Sequence, residues 1–115
     1  MMPIPFTTLN WDEITSIEYT GFTGTSFWKT LQYDGLRIRV VEYSEDYIAD
    51  HWCQLGHVVY CLEGKFESEL ENGDRFLLQQ GMSYVVSDAM SSHRSISEKG
   101  AKLLIIDGDF LSVKN

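Results

Sequence analysis

The stretch KFESELENGDRFLL, Lys65–Leu78, decides the fold class. Phe66, Ser68 and Leu70 alternate with Glu67 and Glu69. That is the period-two pattern of a strand with one face inward and the other in water. Asn72-Gly73 follows, a strong hairpin signal, because both residue types tolerate the left-handed backbone of a tight turn. Arg75–Leu78 then pairs back on the first arm.

The same reading extends in both directions. Thr25–Tyr33 is a strand, Asp34-Gly35 turns the chain, and Leu36–Tyr43 returns. Ile48–Cys53 reads as a short strand, Gln54-Leu55-Gly56 as a tight connection, and His57–Leu62 as the next strand, broken at Glu63-Gly64. After Gly81 come Met82–Val86 and His93–Ser97, then Ala101–Asp107, a buried strand by its apolar run. Residues 1–20 form an N-terminal arm, strand or short turn, in which Asn10-Trp11-Asp12-Glu13 caps a helical turn. About nine strands and almost no helix predict an all-β chain. A single small antiparallel β-barrel, closed or of two sheets, leaves few edges exposed.

Composition narrows the function classes. At 115 residues the chain is expected to be one domain, 1–115. With 43% apolar and 23% charged residues, disorder is not expected. A net charge of −8 disfavours nucleic acid as a partner. No apolar stretch approaches the length of a membrane span. The first residues, MMPIPFTTLNW, lack a basic segment followed by an apolar one, so no secretory signal is expected and the cytoplasm is the expected location. In that reducing compartment Cys53 and Cys61 are free thiols, metal ligands or small core residues. Cys61 shares parity with His57 and Val59 and reads as core. Glu67, Glu69 and Glu71 read as a solvated strand face.

The three histidines carry the chemistry. His51 and His57 share one window with Cys53, HWCQLGH. In a regular strand His51 and Cys53 point the same way, and the Gln-Leu-Gly connection folds His57 back beside them. His93 lies on a later strand that can close against this hairpin. Asp50 points away from His51 in a regular strand and reads as a turn residue, or as an acid orienting an imidazole from outside.

This window resembles the first motif of the cupin superfamily, G-x5-H-x-H-x3,4-E-x6-G. His51 stands at the first histidine, Cys53 at the second, His57 at the glutamate and Gly64 at the closing glycine. The second motif, G-x5-P-x-G-x2-H-x3-N, is matched loosely. Gly81 opens it, Ser87 and Ala89 replace the proline and second glycine, His93 falls one residue late, and Ser97 takes the asparagine place. Asp50-His51-Trp52-Cys53 is similar, more narrowly, to the small DHCW-motif cupins, with Trp and Cys exchanged.

The resemblance implies a jelly-roll barrel, or double-stranded β-helix, with one divalent transition metal inside one end. It also implies His51, Cys53, His57 and His93 as ligands and a homodimer, with Ile4-Pro5-Phe6 reaching to the partner. Imidazole and thiolate suit zinc, iron, nickel or copper rather than magnesium or calcium; zinc, iron and nickel come first.

The partner class is a small-molecule ligand or substrate, neither nucleic acid nor membrane. Arg37 and Arg39 are expected to face outward, opposite Glu67 or Glu69. Were they inward, the cavity would suit a carboxylate or phosphate. Trp28, Tyr33, Tyr43, Tyr60 and Tyr84 are candidate pocket walls. Three readings stay open: a dioxygenase- or isomerase-like enzyme, a non-catalytic ligand-binding or metal-sensing module, and a metal-free barrel with packed histidines.

Overall fold

The structure, a computed structural model, describes residues 3–113. After one 3-10 turn at Trp11–Glu13, capped by the Asn10 side chain, come β1 (Ile17–Thr20), β2 (Thr25–Tyr33), β3 (Leu36–Tyr43), β4 (Tyr47–Ile48) and β5 (His57–Leu70). They are followed by β6 (Arg75–Gln79), β7 (Ser83–Val86), β8 (His93–Ser97) and β9 (Ala101–Gly108). Every strand pair among the described residues is antiparallel.

The path runs β1-β2-β3-β9-β5-β8-β4, with β6 and β7 also paired to β5. The 14-residue β5 is the seam of the molecule. Its first half pairs with β9 and β7, its second half with β6 and β8. The register with β9 slips between Cys61 and Glu63. Such a bulge bends a strand and lets it serve two sheets. Gly64 follows at φ 73°, where a Cβ would stand 2.5 Å from the Gly100 carbonyl oxygen. The Glu63-Gly64 break expected from sequence is therefore a bend within one strand. A bridge between Thr23 and Ile48 brings the two ends of the path together, curling the sheet on itself.

One other expectation changes, and one of two alternatives is chosen. The Ile48–Cys53 strand shrinks to β4, after which the chain leaves regular pairing until His57, apart from one bridge at Cys53. The N-terminal arm supplies β1, which pairs with β2 although all four of its residues are exposed.

Three parallel rows of side chains fill the curl. From β3 come Arg37, Arg39, Val41 and Tyr43; from β9 Asp107, Ile105, Leu103 and Ala101; from β5 His57, Val59 and Cys61. Register sets Arg37 beside Asp107, Val41 beside Leu103, and Val59 beside Ile105. Val41, Tyr43, Val59, Cys61, Phe66, Leu103 and Ile105 belong to one apolar core. Tyr43 and Tyr47 stack within it at 4.3 Å. The interior thus grades from apolar at one end to charged and imidazole-bearing at the other.

This corrects the expected orientation of Arg37 and Arg39, which point inward. Val41 and Tyr43 share their parity and are core residues, so the alternation carries both arginines inside. Leu36, Ile38 and Val40 take the outer face, where Ile38 lies beside Leu31 and Ile106, and Val40 beside Leu104. Glu67 and Glu69 pair instead with Arg75, and Glu69 also with Arg94. Glu69 is buried, so the acidic face is not uniformly solvated.

Candidate metal centre

His57 opens β5 and His93 opens β8. Cys53 comes from the irregular segment after β4, held by two backbone hydrogen bonds: its N–H donates to the His93 carbonyl at 2.8 Å and its carbonyl accepts from the His93 N–H at 3.0 Å. Directly opposed residues of an antiparallel bridge project to the same side. The donor atoms of Cys53, His57 and His93 all lie within 4.8 Å of one another. Cys53 Sγ is 3.5 Å from His57 Nε2. The two rings stand nearly perpendicular, centroids 5.2 Å apart, and Tyr84 packs edge-on against His93 at 6.0 Å.

Gly56 delivers His57 to this point. Its N–H donates to Asp88 Oδ1 at 2.6 Å. A Cβ there would meet the Val86 carbonyl oxygen at 2.5 Å and the Asp88 nitrogen at 2.7 Å. Only glycine lets the connection pass so close to the chain beyond β7.

Behind His57 lies an ionic support. His57 Nδ1 is 3.1 Å from Asp107 Oδ2, so its N–H donates to the carboxylate and Nε2 turns toward Cys53. Arg37 grips the same carboxylate with Nε and Nη2, each at 3.0 Å, and Arg39 Nη2 reaches Oδ2 at 2.9 Å. Burial works against the Asp107 charge, but hydrogen bonds from His57 and Arg37 and the charges of both arginines outweigh it. Its carboxyl is held well below the usual range. Burial likewise opposes a Cys53 thiolate, yet the hydrogen bond to His57 and the nearby His93 ring prevail and bring the thiol down to about 5. His57 moves oppositely: burial disfavours its charge, and Asp107 and Cys53 restore it, holding the ring above the ordinary imidazole value.

The residues fit a transition metal on two observations. His93 Nε2 is buried and has no hydrogen-bond partner. A dry imidazole nitrogen is costly unless something binds it. Second, zinc bonds of about 2.3 Å to sulfur and about 2.05 Å to nitrogen in a tetrahedron imply an S···N edge of about 3.5 Å. The Cys53–His57 separation equals that edge. A carboxylate on the far nitrogen of a ligating histidine is also the usual support of such sites.

Of the four residues singled out from sequence, Cys53, His57 and His93 come together. His51 stands outside this group; its side chain is 73% exposed and its Nδ1 pairs with Asp50 Oδ1 at 2.6 Å. The chain has left the strand before reaching it, so the alternation that would set His51 beside Cys53 does not operate. Cys61 is fully buried in the core. Sequence reasoning missed Asp107. The signal was present, because Asp107 shares parity with Leu103 and Ile105 in a strand read as buried, and an inward carboxylate requires a cationic partner.

A cavity of about 280 Å³ opens over the three donors, walled by Trp28, Arg39, Val41, Tyr43 and Ile105, with His51 also on its lining. Trp28 and Tyr43 thus act as pocket walls, whereas Tyr60 is exposed.

Fold and site together define a small antiparallel β-barrel with a Cys-His-His donor set inside one end. Solved structures place that architecture. A predicted oxalate decarboxylase from Thermotoga maritima superposes with a TM-score of 0.75 at 13% identity, over 89% of this chain and 99% of that one. An RmlC-like cupin from Shewanella frigidimarina gives 0.72 at 16% identity, over 90% and 91%. Ectoine synthase from P. lautus gives 0.73 at 17% identity, over 95% and 80%. No family model matches the chain, and no curated protein matches it. The chain has the cupin jelly-roll fold.

Proposed function

We propose that Cys53, His57 and His93 hold one divalent transition metal and that the protein is a metal-dependent enzyme acting on a small molecule in the adjoining cavity. The observation that carries this reading is the convergence of three soft or borderline donors around a buried, unpartnered His93 Nε2. Three protein donors leave coordination positions open, the catalytic rather than the closed structural pattern. Two of the three structural neighbours described above bear the names of enzymes, an ectoine synthase and a predicted oxalate decarboxylase.

The bound metal would supply Lewis-acid or oxygen-activating chemistry, for a dioxygenase- or isomerase-like reaction. Cys53 offers its sulfur as thiolate at neutral pH, consistent with its thiol lying near 5. Asp107 holds the proton on His57 Nδ1, leaving Nε2 as the donor. Trp28, Val41, Tyr43 and Ile105 wall the reacting space and limit water.

Elemental analysis of the purified protein tests this. Wild type carries close to one transition metal per chain, His57→Ala and His93→Ala lose most of it, and His51→Ala keeps it. Cobalt-loaded protein shows an intense near-ultraviolet sulfur-to-metal band that Cys53→Ser removes. Unchanged metal content in both histidine variants would refute the reading.

A further inference from the structure

We propose that the cavity over the Cys-His-His centre is built for a small organic carboxylate, with Arg39 as the group that receives it. This deepens the functional reading above and rests on it for the location of the chemistry, but the binding itself needs no metal.

The charge balance points there first. Arg37 and Asp107 form a two-bonded pair that is neutral by itself. Arg94 is matched by Glu69, with Nε to Oε1 at 2.8 Å. Arg39 shares the already committed Asp107 carboxylate and, with the Cys53 sulfur turned to His57, has no anion of its own within hydrogen-bond reach among the described residues. Its side chain is only 5% exposed. A buried guanidinium is costly without a counter-ion of its own. Overall acidity cannot supply one at this depth, because the screening and reach of surface charges are poor substitutes for a direct partner.

The hydrogen-bond inventory agrees. A guanidinium carries five N–H donors. Among the described residues Arg39 donates only through Nη2, to Asp107, and its buried Nε has no partner. The cation also sits over the Trp28 ring on the cavity wall, with Cζ 4.5 Å from the ring centre. The contact restrains the group, and its planar fork matches a carboxylate.

The walls select the remainder of the ligand. Trp28, Val41, Tyr43, Tyr47 and Ile105 are apolar or aromatic surfaces that suit an organic body. Inorganic phosphate would leave them bare and would bring more charge than one guanidinium balances. At about 280 Å³ the space lies at the small end of ligand sites. Arg39 and the donors Cys53, His57 and His93 line the same cavity. An acid held by Arg39 therefore lies in the space those donors face.

Calorimetric titration with benzoate, isovalerate, neutral benzamide and inorganic phosphate tests the proposal. It is run on metal-free and on metal-loaded wild type. Benzoate or isovalerate binds both forms, and benzoate binds roughly tenfold or more tighter than benzamide, as expected for a hydrogen bond to a charged group. Arg39→Gln loses that preference, while Lys99→Gln, which removes an exposed cation outside the cavity, keeps it. The wild-type comparison stands even if Arg39→Gln fails to fold. Equal binding of benzamide, equal binding of phosphate, or no binding of either acid at millimolar concentration overturns the proposal. Acid binding that appears only with metal and persists in Arg39→Gln also overturns it, and leaves the metal reading standing. Benzoate preference in a protein that never takes up metal supports the acid site while refuting the metal reading.

Discussion

Asp107 joins the imidazole of His57 to the two arginines that share its carboxylate. One negative charge there sets the ring orientation of a candidate donor and neutralises part of a cationic pair. Two separate effects follow from Asp107→Asn. Metal affinity falls by about 10–100-fold, the usual cost of losing a carboxylate behind a ligating histidine. Stability of the metal-free protein falls by about 3–5 kcal/mol, because the buried Arg39 and the half-buried Arg37 lose their counter-charge. Competition against a chelating dye reads the first and urea unfolding the second. A variant with unchanged metal affinity would remove Asp107 from the site. At this scale the sequence was partly legible. Cys53 and His57 fell at template spacings and His93 one residue late, and the three still meet because each lies in β5, β8 or the bridge between Cys53 and His93. His51 obeyed the same spacing, but spacing carries direction only while a strand persists. Arg37 and Arg39 were ambiguous because both faces of β3 are apolar: Leu36, Ile38 and Val40 against Val41 and Tyr43.

Among the elements, β5 and β8 are locked on their outer side by Glu69, which faces Arg94 across the pair and Arg75 on β6. The Arg94 hydrogen bond, with help from Arg75, lowers the Glu69 carboxyl below its ordinary value. A carboxyl depressed in the folded state contributes stability above its unfolded value of about 4.3 and loses that contribution as pH falls through its folded value. Glu69→Gln is therefore less stable than wild type at neutral pH, and the gap closes on acidification below about pH 4. Urea unfolding at neutral and acid pH measures it; a gap that does not change with pH would show that lost packing, not charge, explains the variant. The hairpins were readable because Asp34-Gly35 and Asn72-Gly73 announce their turns. Strand β1 is one of two alternatives that the sequence allows for the N-terminal arm, since Ile17–Thr20 is exposed at every position and backbone pairing alone leaves no hydrophobic pattern. The division of β5 at Glu63-Gly64 had a real cause: glycine marks the bend, but a bulge and a turn use the same residue for the same backbone reason.

At the level of the whole molecule, one strand belongs to both sheets. Breaking the pairs of β5 means parting it from β9 and β7 at one end and from β6 and β8 at the other. His57 is its first residue, whereas Cys53 lies in an irregular segment held by one bridge to His93 and by a backbone hydrogen bond from Ala89 to the Gln54 carbonyl. The donor set is therefore split between a strand paired on both sides and an irregular segment outside the regular pairing. Hydrogen–deuterium exchange should find the amides of Val59–Phe66 exchanging only through global unfolding, while residues 50–55 exchange through small local openings. Zinc added to the metal-free chain should slow the second group by orders of magnitude and leave the first governed by overall stability. Uniform slowing across both groups would mean that the two halves already move as one body. If they do not, the barrel supplies a fixed anvil, and arrival of the ion is the event that folds the thiol-bearing loop against it.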